Sequence, residues 1–223
     1  RIIIQIHYPL ASAGEVDSTR VSFKYSTATR LRTVKTNHLL NARNNLQNGP
    51  FVIRPNKVKK FFEKLTLPDN ENISLLAIAP HAHLICISMK AYAVKPDGDT
   101  VPLVKIKNWD FHWQGPYMFK QLITIPGGST LYGEAVYDNT TNNPHNPSNP
   151  PKRVTLGEAT TDEMMEFYFS YTKTIPGDDN VVFDTTTRLP TYNNCSFVFN
   201  SGSAINKELI TESIDETPIG NNI

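Results

Sequence analysis

The sequence has little of what marks a nucleic-acid-binding or membrane-spanning protein. Lys and Arg number 22 against 21 Asp and Glu, so the formal net charge is +1. This balance gives no strong field to attract a polyanion or an anionic membrane surface. No stretch approaches the run of about 20 apolar residues that crosses a bilayer as a helix. We therefore expect no nucleic-acid partner and no membrane span.

Cysteine is also scarce, and an initiator methionine is missing. The two cysteines, Cys86 and Cys195, fit none of the spacings that hold zinc or iron–sulfur clusters. They can form one disulfide at most, and the sequence does not show whether they meet. Because the chain starts at Arg1 and runs directly into a β-type segment, we expect a processed chain or a piece of a longer protein.

The residues that are abundant predict an all-β fold. Sixteen Pro and eleven Gly punctuate short runs rich in Val, Ile, Tyr, Phe and Thr, and no segment has a convincing helical period. We predict an antiparallel, jelly-roll-like β-sandwich, with Asp138–Pro151 irregular because of its many Pro and Asn residues. The predicted strands are Arg1–Tyr8, Arg20–Tyr25, Val52–Ile53, Ile73–Ile78, Ile85–Val94, Val101–Val104, Phe119–Ile125, Thr130–Tyr137 and Glu163–Tyr171.

The strongest local pattern is the pair His81 and His83. Residues two apart on a strand point to the same face, so both imidazoles can reach one metal ion. Ile85 and Ile87 should continue that face. Two histidines suit copper, zinc or iron. The alternative is that both are ordinary surface or core residues, as most such pairs are.

A third ligand must come from elsewhere in the chain: the histidines His7, His38, His112 and His145 are widely spread, and Met164 is the other candidate. A thioether is a soft donor that favours Cu(I) over hard cations. Together with the two imidazoles it would suit a copper that cycles between Cu(I) and Cu(II). The competing interpretation is that Met164, like the adjacent Met165, fills the core.

A series of motifs in a characteristic order resembles the C-terminal domain of the type II copper, ascorbate-dependent monooxygenases. The similarity is to bacterial relatives of the peptidylglycine and dopamine β-monooxygenases. It is carried by Asn108–Gln114 (NWDFHWQ), Tyr137–Asn139, Asn143–Pro144, Asn149–Pro151, Gly157–Glu158 and Thr161–Met164.

The resemblance implies an enzyme in which His81, His83 and Met164 bind the copper where O2 is activated. Ascorbate would be the reductant, a substrate C–H bond would be hydroxylated, and the protein would be secreted or periplasmic. These three ligands are then the catalytic residues. A disulfide between the two cysteines would suit that location.

The resemblance also implies a second, electron-transferring copper on a preceding domain. His7, before Tyr8, matches one of its three histidine ligands, and no histidine pair precedes it here. We therefore expect residues 1–30 to be the edge of an incomplete N-terminal copper domain and residues 31–175 to be the oxygen-activating domain. Residues 176–223 would form a polar extension. The missing N-terminal domain is an expected partner.

Substrate recognition should differ from that of the peptide-amidating relatives. In those enzymes an Arg, an Asn and a Tyr bind the substrate carboxylate, and the matching positions here are Ala79, Glu166 and Tyr168. Loss of the Arg removes the bidentate partner of a carboxylate, and Glu166 would repel one. We expect a neutral or cationic substrate, with Glu166 and Tyr168 as its contacts.

Other interpretations stay open on the sequence alone. The chain could be a non-catalytic copper-binding module, or a carbohydrate- or protein-binding β-sandwich without metal. The alternation of Trp109, Phe111 and Trp113 favours packing of one strand face against the core, with the lining of a substrate cleft as the alternative.

Overall fold

The computed structural model describes residues 31–183 and 198–201, together with residues 6, 14, 16–19, 21–25, 27 and 29. His7, Cys195 and the predicted strand Arg1–Tyr8, apart from Ile6, lie outside the described residues. The strands are β1 (Ser22–Tyr25), β2 (Lys35–Asn41), β3 (Val52–Ile53), β4 (Lys57–Thr66), β5 (Ile73–His81), β6 (Cys86–Val94), β7 (Thr100–Ile106), β8 (Tyr117–Ile125), β9 (Thr130–Asn139), β10 (Val154–Thr155), β11 (Glu166–Lys173) and β12 (Val198–Ser201).

Two four-stranded antiparallel sheets form the sandwich. One has the order β2-β11-β5-β8 and the other the order β4-β9-β6-β7. Two further pairs of strands lie outside these sheets. Strand β3 pairs with β10 in antiparallel orientation, and β1 pairs with β12 in parallel orientation. The prediction of an all-β antiparallel sandwich is confirmed. Within the described residues the one helical element is a 3-10 turn at Asp178–Asn180, and no helix there is long and apolar enough to cross a membrane.

The core lies between the two sheets because one face of each strand is apolar. Along β9, buried and partly exposed residues alternate over all ten positions, as the period of a half-buried strand requires. Phe167 and Phe169 of β11 meet Phe61 of β4 and Tyr137 of β9 in one buried cluster. The Phe61 and Tyr137 rings pack edge to face with centroids 5.8 Å apart, a geometry that aromatic pairs favour.

A glycine allows the sheets to approach closely at Gly133 in β9. A Cβ atom built at this position would lie 2.8 Å from Cε2 of Phe167 and 3.0 Å from Oε2 of Glu63. Any side chain would therefore push β11 away from β9. This close contact helps to fix β11, the strand that follows Met164, against the second sheet.

The segment after β11 packs on the first sheet through Asp178. Its carboxylate accepts hydrogen bonds from both terminal nitrogens of Arg32, at 2.7 and 2.8 Å, and from Ser74 Oγ at 2.6 Å. The Arg32 guanidinium holds the pKa of Asp178 down at about 2. Beyond it, Leu122 N donates to Val181 O at 3.1 Å. Residues up to Phe183 thus pair with β8.

The predicted strands correspond to observed ones wherever the residues are described, with shifted ends. Four strands were missed: β2, β4 and the short strands β10 and β12. The prediction that Trp109, Phe111 and Trp113 share a strand face is wrong, because residues 107–116 form turns and irregular backbone. Trp109 is buried whereas Trp113 is exposed. Asp138–Pro151 is irregular beyond the end of β9, as predicted, and is anchored where Asn139 Nδ2 donates to Lys152 O at 2.7 Å.

Candidate metal centre

The two histidines of the pair lie at the end of β5, at the edge of the sandwich. His81 is the last residue of the strand and His83 lies in the short connection to β6. Their ring centroids are 5.2 Å apart, with the planes at 82°. The expectation that Ile85 and Ile87 continue one face is wrong. The strand ends before His83, and Ile85 is buried while Ile87 is exposed.

Each imidazole is oriented by a hydrogen bond at Nδ1. His81 Nδ1 lies 2.6 Å from Gln114 Oε1, and His83 Nδ1 lies 3.1 Å from the backbone oxygen of Asp162. Both partners are acceptors, so Nδ1 carries the proton in each neutral ring. The lone pair then sits on Nε2. Metal-binding histidines commonly have this tautomer, with the other ring nitrogen donating to an oxygen of the protein.

A buried carboxylate, Glu163, ties together the two segments that carry His83 and Met164. Its Oε2 accepts the backbone N–H of His83 at 2.8 Å and that of Met164 at 3.2 Å, while Oε1 accepts the N–H of Ile85 at 2.8 Å. The connection after β5 makes these bonds in place of a strand ladder, which explains why β5 stops at His81. Glu163 therefore brings the backbone of Met164 next to that of His83.

Met164 and Met165 differ in their surroundings. Met165 is fully buried at 0% exposure and belongs to the core cluster. Met164 is partly exposed and precedes β11, and its backbone oxygen accepts a hydrogen bond from Tyr137 Oη at 2.7 Å. Of the two adjacent methionines, only Met164 is therefore partly exposed, and its backbone lies beside the connection that carries His83.

Burial controls the protonation of the groups around the pair. It lowers the pKa of His83, although the Asp162 carbonyl acts in the opposite direction. A neutral imidazole is the form that binds a metal. Burial raises the pKa of Glu163 to about 7, although the backbone N–H groups that donate to its carboxylate lower the pKa. Burial also raises the pKa of the Cys86 thiol well above its ordinary value, which disfavours the thiolate form.

The segment between β7 and β8 forms a wall of the site. Trp109 Nε1 donates to the backbone oxygen of His83 at 3.2 Å, and the Phe111 ring lies edge-on to His83 with centroids 6.0 Å apart. Gln114, which binds His81, comes from the same segment. No site role was predicted for Gln114 or Glu163 from the sequence, although both lie in the motifs that carry the family resemblance.

Glu166 and Tyr168 lie beside the pair on the same sheet face. In the β5–β11 register Glu166 is opposite His81, and Tyr168 is opposite Ala79, so these side chains share one face. Tyr168 Oη donates to Glu166 Oε2 at 2.6 Å. Burial and this hydrogen bond raise the pKa of Tyr168 to about 12. The Tyr168 hydroxyl is therefore already engaged by Glu166.

The donor set fits a soft metal better than a hard one. In the described part of the chain, no group of three or more His, Cys, Asp or Glu is placed to hold a metal ion. The available donors are two imidazoles, held at Nδ1, and the partly exposed Met164, whose backbone N–H shares the Glu163 carboxylate with that of His83. Such N and S donors suit copper and disfavour Mg²⁺ or Ca²⁺.

Fold and site together define an antiparallel β-sandwich with a candidate two-histidine metal centre at one edge. Residues 59–186, more than half of the chain, match the family model described as "Copper type II ascorbate-dependent monooxygenase, C-terminal domain". The chain belongs to this family, as its motifs predicted. The matched range contains the histidine pair, Gln114, Glu163 and Met164. A comparison with curated proteins finds no match.

Proposed function

We propose that this chain provides the oxygen-activating domain of a copper- and ascorbate-dependent monooxygenase, with His81, His83 and Met164 as the copper ligands. The observation that carries the proposal is the pair of Nδ1 hydrogen bonds, from His81 to Gln114 and from His83 to Asp162. They commit one nitrogen of each ring to the protein and leave Nε2 as the donor. Family membership supports copper and ascorbate as the cofactor and reductant.

The protein residues provide geometry, and copper provides the one-electron chemistry that activates O2 for hydroxylation of a substrate C–H. Gln114 and the Asp162 carbonyl fix the two imidazoles. Glu163 holds the backbone of His83 and Met164 together. Because the site lies at an edge of the sandwich and both His81 and Met164 are partly exposed, O2 and substrate can approach from solvent.

The charge on the adjacent sheet face supports a neutral or cationic substrate. Glu166 lies opposite His81, where a carboxylate substrate would be repelled. Ala79, opposite Tyr168, offers no positive charge. We propose Glu166 and Tyr168 as the substrate contacts, in agreement with the sequence-based expectation.

The wider organisation of the protein is part of the same proposal. Residues 31–175 would form the oxygen-activating domain, with residues 1–30 as the edge of a preceding copper domain and 176–223 as an extension. His7 would be a ligand of the electron-transferring copper there. An extracytoplasmic location, and a disulfide between Cys86 and Cys195, also remain proposals.

Removing either histidine should abolish tight copper binding. We expect the wild-type chain, loaded with Cu(II) and freed of excess metal, to retain about one copper. His81→Ala and His83→Ala should each weaken binding by at least about 100-fold, since even the loss of a group that only hydrogen-bonds to a metal ligand can reach that range. Equilibrium dialysis measures the copper affinity and stoichiometry, and the EPR spectrum reports the ligands of the bound Cu(II).

His145→Ala is the matched control, because His145 lies in the Asn- and Pro-rich loop. It should keep wild-type copper binding. Copper-dependent oxidation of ascorbate by O2 should also vanish in His83→Ala. Unchanged copper binding in both pair variants would refute the ligand assignment. Tight copper binding without ascorbate oxidation would instead favour a non-catalytic copper-binding module.

A further inference from the structure

A cavity at the end of the sandwich remote from the histidine pair has no role in the proposed function. Its volume is about 570 Å³, within the range of sites that bind small organic molecules, roughly 300–1,000 Å³. It lies where the start of β2, the end of β11 and the start of β5 meet. The nine-residue strand β5 begins at the cavity with Ile73 and ends with His81. At about 3.3 Å per residue, this strand keeps the two sites about 25 Å apart.

Two lysines give one wall of the cavity its positive charge. Lys35 of β2 lies opposite Tyr171 of β11, and Lys173 follows two residues later on β11, so both lysines are on one face of the sheet. Diagonal neighbours of this kind lie about 7–8 Å apart, within reach of long side chains. Among the ion pairs of the described residues, neither lysine has a carboxylate partner. The two ammonium groups can therefore meet at one anion.

The other charges at the cavity do not neutralise this wall. The guanidinium of Arg32 is already engaged, by the Asp178 carboxylate and by the backbone oxygen of Lys173. Glu71 carries the one carboxylate among the lining residues, and it belongs to the connection before β5. Because β11 lies between β2 and β5, Glu71 approaches from the side opposite Lys35. The wall formed by the two lysines therefore favours an anionic group.

Apolar side chains line another part of the cavity. Ile73 and Tyr171 are buried and belong to the core cluster, whereas Ile175 is half exposed. The Tyr171 hydroxyl accepts a hydrogen bond from Asn37 Nδ2 at 3.2 Å, which fixes the position of the ring. Removal of a ligand's apolar part from water against these side chains is favourable. The cavity thus combines a cationic wall with an apolar surface.

We propose that this cavity binds an organic anion that has a carboxylate head and an apolar body. Lys35 and Lys173 bind the carboxylate, and the apolar body lies against Ile73, Tyr171 and Ile175. The site is additional to the proposed function, because a ligand held here does not reach the histidine pair.

Three matched small probes test the cavity: sodium phenylacetate, its neutral amide phenylacetamide, and sodium acetate. Binding is measured by NMR titration on the whole chain without metal, so that a carboxylate cannot bind copper instead. We expect phenylacetate to bind about tenfold more tightly than phenylacetamide, the combined effect of two partly exposed ion pairs. Acetate lacks the apolar body and should bind at least about tenfold more weakly than phenylacetate. Equal binding of phenylacetate and either of the other probes would overturn the proposal.

The place of binding is read from the backbone amide signals in the same titration. Those of Ile73 and Lys173 should shift when phenylacetate is added, whereas those of His81 and His83 should not. Shifts confined to the histidine end of β5 would place the anion at the metal centre and overturn the proposal.

Variants then assign the contacts. Lys35→Gln and Lys173→Gln should each lower phenylacetate affinity by about twofold to fivefold, the range of one partly exposed ion pair. The double variant should lose the preference for phenylacetate over phenylacetamide. Lys105→Gln is the matched control, since Lys105 is an exposed lysine on β7 of the other sheet, and it should bind phenylacetate as wild type does.

Glu71→Gln provides a control within the cavity. It removes the negative charge on the side opposite Lys35 and should keep or strengthen phenylacetate binding. Weaker binding in Glu71→Gln, or an unchanged preference in the double lysine variant, would also overturn the proposal. Because the titrations use the chain without metal, neither result bears on the copper ligands.

Discussion

Glu163→Ala is expected to destabilise the protein and to lose copper together. The substitution leaves the backbone N–H groups of His83, Ile85 and Met164 without their acceptor. An unsatisfied buried donor costs about 1–3 kcal/mol, so we expect a loss of about 4 kcal/mol in the free energy of unfolding. Because the two ligand segments are joined through this carboxylate, Cu(I) affinity should fall by about 100-fold.

Urea unfolding and a competitive Cu(I) titration measure the two effects. Glu163→Gln keeps one acceptor oxygen and should fall between wild type and Glu163→Ala in both. Glu158→Ala is the matched control, because Glu158 is an exposed glutamate of the same connection, and it should change neither quantity. Wild-type Cu(I) affinity in a folded Glu163→Ala protein would show that Glu163 does not position the ligands.

The second large effect is expected at Glu63, a glutamate in the core. Its exposure is 0%, and neither carboxyl oxygen has a hydrogen-bond partner among the described residues. Burial, with a smaller contribution from the charge of Glu166, raises the pKa of Glu63 from 4.5 to about 9. The folded protein therefore holds a proton here that the unfolded chain releases above about pH 4.5.

The sign of the pH dependence follows from this difference in bound protons. Stability contributed by the protonated form is fully present below pH 4.5 and is lost progressively as the pH rises through about 9. Each pH unit in that window costs up to about 1.4 kcal/mol. At pH 7.5 the free energy of unfolding is thus lower than below pH 4.5 by as much as about 4 kcal/mol because of Glu63.

Glu63→Met removes the ionisable group at similar volume. Its free energy of unfolding should exceed that of wild type by about 2–4 kcal/mol at pH 8. The decrease that Glu63 causes in wild type between pH 5 and 8 should be absent from this variant. Glu63→Gln should also flatten the pH profile. The control is Glu134→Gln on the neighbouring strand, where the carboxylate pairs with Lys60 at 2.6 Å. Parallel pH profiles for wild type and both Glu63 variants would contradict the raised pKa.

Glu63 also explains why β4 was missed in the sequence. Its inward-facing positions carry Phe61, Glu63 and Leu65, so a charged residue type interrupts the alternation that marks a half-buried strand. In the folded protein Glu63 is protonated and therefore neutral, so the inward face of β4 carries no charge at this position. The strands β6, β8, β9 and β11 have no such inward charge near the core centre and were predicted from their apolar alternation.

The metal centre was predictable as a set of donors, but not as a geometry. His81 and His83 are adjacent in sequence, and Met164 was selected by the softness of its sulfur and by family resemblance. The approach of the Met164 backbone to that of His83 depends on Glu163, which contacts His83 across 80 positions of sequence. Such a long-range bond leaves no local pattern. Strand alternation even gave the wrong reason for the pairing, because His83 lies beyond the end of β5.

The most direct test of the copper site is X-ray absorption at the copper edge on the whole chain loaded with Cu(I) under ascorbate. Wild type should show a sulfur scatterer that is absent in Met164→Ile, while Met165→Ile, which changes the adjacent buried methionine, should retain it. That result would assign the thioether to Met164 beside the two imidazoles. A sulfur signal that persists in Met164→Ile, or a chain that retains no copper, would contradict the proposed site.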